Sequence, residues 1–337
     1  MKGIFSAGRP GRIWSPEVFQ GAGRHGRYFE GWYVKLVSAD ERFRYAVIPG
    51  VSLPAEKKDR HAFIQLLDGR TGASSYHRFP ISEFAFDPYR FRVVIAGNEF
   101  SLEGVTLSLP GVSAAVRFKN PVRLRSPFFS PGVMGWFAFV PFMECYHGLV
   151  SMEHGLDGGL EAGGERMDFS GGYGYIEKDW GRSFPSDYIW MQTNHFHRDG
   201  RKVKGSFMFS VARIPWLGAA FTGFLSVLWD GNSIRRFATY TGARLEELDV
   251  SGNRLSLKVR ERGVVLDIEA SRSEGPVLRS PVEGAMEGKI RESLDASVRL
   301  KFSDGKGKVL FEGVGTSAGL EITGDPGRFG IPRRSRI

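Results

Sequence analysis

The sequence predicts an all-β protein, and three observations favour that class. Apolar and polar residues alternate along most of the chain, turn motifs recur at about ten-residue spacing, and helical periodicity is scarce. The 44 glycines and 27 phenylalanines suit many turns and aromatic-packed strands better than a helical bundle. So many short antiparallel strands imply a sandwich or a barrel.

Tight turns between alternating runs predict individual hairpins. Four such turns lie at Gly97-Asn98, Asp230-Gly231-Asn232, Arg262-Gly263 and Asp304-Gly305. The best helical candidate is PVEGAMEGKIRESL at 281–294, although Gly284 and Gly288 interrupt it. The run GWFAFVPFMECYHGLVSMEHG predicts a pair of core strands broken at Pro141.

The length of 337 residues allows two domains that each bury a core. The stretch WGRSFPS interrupts two strand-like runs with Gly, Pro and Ser, and it predicts β domains at 1–183 and 184–337. Residues 1–24 and 325–337 are expected to be loosely held termini. No signal peptide or membrane span is evident, so the chain is expected to be soluble and cytoplasmic.

The formal net charge of +9 admits an anionic partner. No helix-turn-helix, RNP or zinc-finger motif is present, so nucleic acid is not an expected partner. The alternatives are an ordinary solvated basic surface and weak peripheral contact with an anionic membrane, where a hydrophobic substrate would be found.

The segment GGYGYIEKDWG places several reactive side chains on one predicted strand. Because positions two apart share a face, one face carries Tyr173, Tyr175, Glu177 and Asp179. If that face lines a barrel, mutual repulsion and desolvation can keep one of Glu177 and Asp179 protonated as a general acid. If the face is solvated, the two are ordinary surface acids.

Three further runs carry candidate ligand contacts. In SDYIWMQTNHFH one predicted face mixes flat rings with neutral hydrogen-bonding groups, as ligand pockets do: Tyr188, Trp190, Gln192, Asn194 and Phe196. In RYFEGWYVKL, Tyr28, Glu30 and Trp32 share a face, although a core glutamate paired with an arginine is an equal alternative. Trp136, His147 and His154 lie in the fourth run, where a histidine is more often a satisfied core or edge residue than a catalyst.

Other chemistries find less support. His195-Phe196-His197 alone is weak evidence for a metal site, no phosphate-binding glycine loop precedes a helix, and no Gly-x-Ser-x-Gly elbow occurs. The single cysteine, Cys145, excludes an internal disulfide framework and lacks a recognisable nucleophile context. Neither a metal nor an organic cofactor is expected.

Four runs, in this order, resemble the tocopherol cyclase family: YFEGWYVK, FVPFMECYHG, GGERMDFSGGYGYIEKDWGRSFPSDYIWMQTNHF and the stretch from LRSPVEGAMEGKIRES to DGKGKVLFEGVGTSAGLEITG. The resemblance implies two lipocalin-like antiparallel β barrels packed side by side, related to carotenoid hydratase, with a ligand cavity at or between them. It also implies closure of a prenylated quinol to a chromanol without redox change or organic cofactor.

The resemblance also suggests roles for particular side chains. Glu30 and Glu177 are the preferred acids, and Asp179 is a weaker one because the plant pattern carries asparagine there. Trp32, Trp180 and Trp190 are candidates for sheltering a tertiary cation, and Gln192 and Asn194 for binding the quinol hydroxyls. Tyr188, Trp136 and His147 complete the expected substrate contacts. The segment FMECYHG departs from the plant pattern, so the substrate can be another prenyl lipid.

Two functions from different classes remain open at this level. One is an enzyme that protonates an alkene of an isoprenoid lipid. The other is a lipid-binding or carrier protein, in which Lys35, Lys178 or Arg182 would hold Glu30 and Glu177 as ion pairs.

Overall fold

The computed structural model describes residues 10–273 and 275–333, and its regular structure is almost entirely β strand. Within those residues no α-helix occurs, and the strands form two antiparallel sheets of twelve strands each. The predicted all-β class with two antiparallel barrels is thereby confirmed. The expectations for residues 1–9 and 334–337, including the basic tail, lie outside the described residues.

The first sheet is a meander in which most neighbours in sequence are neighbours in space. Its strands are β1 (Tyr28–Val37), β2 (Arg44–Leu53), β3 (His61–Asp68), β4 (Ser74–Pro80), β5 (Phe84–Phe86), β6 (Arg92–Ile95), β7 (Asn98–Ser101), β8 (Gly104–Leu109), β9 (Val112–Val122), β10 (Cys145–Ala162), β11 (Glu165–Asp168) and β12 (Tyr173–Gly181). They pair in the order β4-β3-β2-β1-β12-β10-β9-β8-β7-β6-β5, with β11 on β10. Strand β12 therefore lies between β1 and β10.

The second sheet repeats this organisation. Its strands are β13 (Tyr188–Thr193), β14 (His195–Arg198), β15 (Arg201–Val203), β16 (Ser206–Trp216), β17 (Ala219–Trp229), β18 (Ile234–Ala238), β19 (Arg244–Ser251), β20 (Arg254–Glu261), β21 (Val264–Ser271), β22 (Val277–Val282), β23 (Ala285–Asp304) and β24 (Val309–Thr323). The order is β18-β17-β16-β13-β24-β23-β21-β20-β19, with β14 on β15 and β24, and β22 on β23.

Short 3-10 helices connect some strands: Pro10–Trp14, Lys57–Asp59, Ile81–Glu83, Gly135–Phe139, Thr239–Thr241 and Pro326–Phe329. Among the described residues, none of the helices has the length and apolarity to cross a membrane.

Each sheet surrounds its own hydrophobic core because alternate side chains point inward. In the first core Trp32, Val34 and Leu36 of β1 are fully buried, and in the second Ile189 and Met191 of β13 are. The chain forms two compact units: the part up to Phe184 with Leu278–Lys289, and Pro185–Val277 with the part from Ile290 onward. The predicted division at 183/184 assigned residues 278–289 to the second domain, whereas they group with the first unit.

All four predicted hairpins form, since the strands on either side of each turn pair antiparallel. The helix predicted at 281–294 is wrong. Gly284 adopts a positive φ of 82° at a turn between β22 and β23, and a Cβ there would lie 2.3 Å from the backbone nitrogen of Tyr28. The strand pair broken at Pro141 is also wrong, because Gly135–Phe139 is a 3-10 helix and one long strand begins at Cys145.

The expectation of loosely held termini is wrong for their described parts. Val18 and Phe19 are buried, and the Phe19 ring packs against Phe84 and Phe86 in the first core. Near the other end, Phe329 is buried in the second core. The segment before β1 is therefore an integral part of the first unit.

Candidate active site

Strand β12 presents two chemically different faces. Ile176 belongs to the first core and Lys178 lies over the buried Trp32 ring, so that face looks into the barrel. Tyr175, Glu177 and the next alternate residue, Asp179, therefore lie on the outer face. The sequence left open which face was which, and the acids are on the outer one.

Although it lies on the outer face, Glu177 is buried, with only 4% of its surface exposed, and it takes part in a chain of four interacting side chains. The Tyr175 hydroxyl donates to Glu177 Oε2 at 2.5 Å. His147 Nε2 lies 3.4 Å from the same oxygen, and His147 Nδ1 lies 2.8 Å from Asp179 Oδ1. We call Tyr175, Glu177, His147 and Asp179 the acid relay.

Strand register assembles this relay. His147 of β10 lies directly opposite Asp179 of β12, and Leu149 lies opposite Glu177. Side chains directly opposite on antiparallel strands are close enough to pair, so the imidazole reaches both carboxylates from one cross-strand position. The pairing of β10 with β12 thus brings these residues together.

Electrostatic interactions within the acid relay keep His147 protonated at neutral pH. Burial alone would lower the pKa of His147, but Asp179 and Glu177 outweigh burial and raise that pKa well above 6.5. At neutral pH the imidazole of His147 is therefore protonated, and it lies between the carboxyl groups of Glu177 and Asp179. Burial, reinforced by Glu177, raises the pKa of Tyr175 well above 10, so its hydroxyl stays a donor to Glu177.

The same donor set could hold a divalent cation. One ligand atom each from His147, Glu177 and Asp179 lies within 4.8 Å of the others. No second group of three possible metal ligands is found among the described residues. One imidazole and two carboxylates suit several divalent metals. The candidate His195-Phe196-His197 does not belong to such a group.

Glu30 lies on the opposite side of the same sheet, with no solvent exposure. Its Oε1 lies 2.5 Å from Nζ of Lys178, which is equally buried. Gln20 N donates to both of its oxygens at 2.8 and 3.0 Å, and the Tyr28 hydroxyl donates to Oε2. Glu30 and Glu177, both predicted as acids of one site, are therefore not brought together.

Lys178 is the centre of this second cluster. Its ammonium donates to the carbonyls of Pro16 at 2.8 Å and Val18 at 2.5 Å. It lies 4.7 Å from the ring centroid of Trp32 and 4.8 Å from that of Trp180. Burial lowers the pKa of Lys178, and Glu30 partly opposes that shift. Two of the three tryptophans expected to shelter a substrate cation thus flank the ammonium of the protein itself.

Four further predicted contacts lie in the second unit. Tyr188, Trp190 and Gln192 are buried on β13, on the face opposite the core residues Ile189 and Met191. Tyr188 donates to Glu321 Oε2 at 2.6 Å. Asn194 is buried just beyond β13, and its Oδ1 lies 3.0 Å from His195 Nδ1.

The predicted face of this run fails at one residue. Phe196 lies in the second core rather than with Trp190, because the strand breaks at Asn194 and the alternation restarts in β14. The remaining predicted contact, Trp136, is half-exposed on the 3-10 helix before β10. His154 is buried, and its ring packs against Phe118 at a centroid distance of 4.2 Å. This histidine therefore follows the alternative of a core residue.

Sequence reasoning placed Tyr28 and Tyr175 on the faces of Glu30 and Glu177 but gave neither tyrosine a role, and it missed the carbonyl partners of Lys178. Tyr28 and Tyr175 each lie two residues before a buried glutamate and donate to it. The repeated pattern Tyr-x-Glu on a strand was visible and could have indicated both pairs, because residues two apart share a face. The carbonyls of Pro16 and Val18 carried no such indication, since any residue supplies a carbonyl.

Comparison with known proteins identifies a protein family for this chain. The family model described as tocopherol cyclase-like matches residues 129–324. A rice (Oryza sativa subsp. japonica) protein named "Probable tocopherol cyclase, chloroplastic" is 28% identical over 202 residues. The maize (Zea mays) "Tocopherol cyclase, chloroplastic" is 27% identical over 202 residues. Each match covers 57% of this chain and 42% of the relative, so the similar region is less than half of each plant protein.

Solved structures share the fold over almost the whole chain. A crystal structure of CghA superimposes with a TM-score of 0.62 at 11% identity, covering 100% of this chain and 96% of CghA. A crystal structure of CghA with Sch210972 gives a TM-score of 0.61 at 11% identity, covering 96% and 94%. At this identity the likeness concerns the fold.

Proposed function

The chain belongs to the tocopherol cyclase-like family, and we propose that it catalyses acid-driven, redox-neutral ring closure of a prenylated quinol or a related isoprenoid lipid. The observation that carries this proposal is the buried acid relay. His147, Glu177 and Asp179 fall within the matched residues 129–324, whereas Glu30 lies outside them. The plant relatives match over only part of their length, so the substrate is proposed by class.

The relay has the parts that the reaction needs. The proton held on His147 passes to Glu177 Oε2 and from there to one carbon of the prenyl alkene, and the other carbon becomes a tertiary cation. The quinol oxygen attacks that cation, a carbon–oxygen bond forms, and the phenolic proton returns to the relay. Atoms and electrons balance without an oxidant or reductant, so the product is an isomer of the substrate.

Each member of the relay has a separate task in this scheme. His147 holds a proton at neutral pH and resupplies Glu177 through the 3.4 Å contact. Asp179 orients the imidazole through its Nδ1. Tyr175 fixes the Glu177 carboxyl group through its hydroxyl. Proton transfer by a positioned side chain of this kind contributes about 10²–10⁴-fold to rate.

Glu30 is less suited to be the acid. It accepts hydrogen bonds from Gln20 N and Tyr28 and pairs with Lys178, and no imidazole is among these partners to resupply a proton near neutral pH. We therefore assign Glu30 to the stability of the first unit, and Trp32 and Trp180 to the environment of Lys178.

A non-catalytic binding or carrier protein is the second candidate, and one observation favours it. The Glu30–Lys178 pair is the arrangement expected if the acids serve only structure. Glu177 differs, because its described partners are Tyr175 and His147. Arg182, another expected partner, pairs with Glu283 instead at 2.5 Å.

The test is incubation of the pure protein with a panel of prenylated quinols and isoprenoid lipids, followed by chromatography and mass measurement. A product of unchanged mass and altered retention is expected from the wild type. A chelator arm separates proton chemistry from metal chemistry, because activity lost on chelation would assign the site to a cation. A lipid that co-purifies without conversion would support the carrier.

A hydrophobic substrate of this class partitions into membranes, which makes contact with an anionic membrane a further expectation. A cytoplasmic location stays a prediction.

A further inference from the structure

A loop of the first unit exposes an unusual set of aromatic side chains. We call residues 128–142 the aromatic loop. Its exposed rings, with their exposed fractions, are Phe128 (67%), Phe129 (81%), Trp136 (50%), Phe139 (44%) and Phe142 (84%). Scattered single apolar residues are normal on a protein surface, whereas five large rings on fifteen residues mark an interaction site.

Contacts with a second segment hold part of the loop as one surface. Trp14 stacks on Phe128 at a centroid distance of 5.1 Å and meets Phe139 edge-on at 5.7 Å. Trp14 Nε1 also donates to the Phe128 carbonyl at 2.8 Å. Phe129 adjoins Phe128 in a T-shaped contact at 5.0 Å. The rings therefore form a patch that two parts of the chain build together.

Phe142 adds backbone evidence. Its φ is 62°, a conformation that bulky side chains rarely adopt, and the ring is the most exposed of the five. Residues held in such conformations cluster at active sites, ligand-binding sites and switch regions.

The charged side chains within the aromatic loop and just before it have one sign. The stretch 121–143 contains Arg123 and Arg125 and no Asp, Glu or Lys, and both arginines are exposed. The contacting stretch 10–16 contains Arg12 and no acid. Glu17 follows and pairs with Arg123, which leaves Arg125 as an exposed cation that no described acid pairs with.

We infer that the aromatic loop is a membrane-docking surface that seats on an anionic lipid bilayer. Exposed Trp and Phe side chains favour the headgroup region, and neighbouring arginines attract anionic lipids. A protein partner would be expected to need side chains that donate hydrogen bonds and side chains that accept them. The stretch 121–143 largely lacks such side chains. The inference does not depend on the chemistry proposed above.

Co-sedimentation with vesicles tests this inference. Wild-type protein is expected to bind vesicles of phosphatidylcholine with phosphatidylglycerol more strongly than phosphatidylcholine alone. The double variant Phe129→Ser/Phe142→Asn is expected to lose binding by about tenfold or more, because two apolar side chains no longer leave water. Arg125→Gln is expected to reduce the preference for the anionic vesicles.

A matched control and a second readout keep the test decisive. Tyr89→Ser removes another aromatic ring that is 73% exposed on the same unit, and it is expected to leave vesicle binding unchanged. Thermal unfolding checks that all variants are folded. Equal binding by the double variant and the wild type would overturn the inference, as would absence of wild-type binding. Lipid-free self-association abolished by the double variant would assign the patch to a protein contact instead.

Discussion

Two buried glutamates of the first unit show how the partner decides what an acid can do. Glu30 and Glu177 each accept a hydrogen bond from a tyrosine two residues earlier. Glu30 is then paired with a lysine, which stabilises the carboxylate, whereas Glu177 contacts a histidine, which can exchange a proton. The first arrangement is suited to stability and the second to acid–base chemistry.

Removing the cation from the Glu30 cluster should be strongly destabilising. Lys178→Met is expected to lower the free energy of unfolding by about 3–5 kcal/mol, because it leaves a buried carboxylate without its ion pair. The double variant Glu30→Gln/Lys178→Met is expected to recover most of that loss, since no buried charge remains unpaired. Urea unfolding of the three proteins measures both effects. Equal stability of the single variant and the wild type would contradict the assigned role of Lys178.

The charge of Asp179 should be visible in a pH profile. Asp179→Asn retains an oxygen that can accept from His147 Nδ1 but removes one of the two charges that raise the His147 pKa. Activity that needs protonated His147 declines as pH rises through that pKa. The decline in the variant is therefore expected at lower pH than in the wild type, with activity retained on the acid side. An unchanged basic limb would separate His147 from the reaction.

At the scale of the element, β12 does two tasks because neighbouring residues point to opposite faces. Lys178 faces the core while Glu177 and Asp179 face outward, so a register slip of one residue would exchange the two environments. Pairing with β1 on one side and β10 on the other prevents that slip. The strand thus connects the stability of the barrel to the geometry of the relay.

A buried histidine of β10 should make the first unit sensitive to acid. His154 accepts or donates at Nδ1 with Ser151 Oγ at 3.0 Å and fits against Gly174, where a Cβ would lie 2.3 Å from its Nε2. Burial lowers the pKa of His154 to about 3. Below the unfolded-state value of about 6.5 the unfolded chain binds the proton and the folded chain does not, so stability falls as pH falls toward 3.

The variant His154→Leu removes this titration. Its unfolding free energy is expected to depend less on pH than that of the wild type between the two pKa values. Urea unfolding across that pH range gives the comparison. Parallel curves for the two proteins would mean that other groups dominate the acid sensitivity.

At the scale of the whole molecule, local patterns predicted the strands and the hairpins well. Gly97-Asn98 and Arg262-Gly263 were predictable because tight turns need residues that tolerate unusual backbone angles. Alternation also predicted that Tyr175, Glu177 and Asp179 share a face. The prediction of a helix at 281–294 failed because the apolar spacing there fits the period of a strand as well as that of a helix. Gly284 also turns the chain within this stretch.

Contacts between distant segments were not predictable from one sequence. The carbonyls of Pro16 and Val18 bind Lys178 across about 160 residues, and a terminus that looked loosely held became part of the core. His147 was predicted near the substrate but not between two carboxylates, because that position depends on the pairing of β10 with β12. Patterns within a strand carry no information on such partners.

We propose that Glu177 is the acid of an isomerising enzyme, and a comparison of three proteins tests that role. Wild type, Glu177→Gln and Glu161→Gln are incubated with the prenylated quinol panel, and products are followed by retention and mass. Glu161→Gln is the matched control, because it makes the same change at an exposed position of β10. The account predicts an isomeric product from the wild type and the control, and none from a folded Glu177→Gln. Equal product from all three proteins would contradict it.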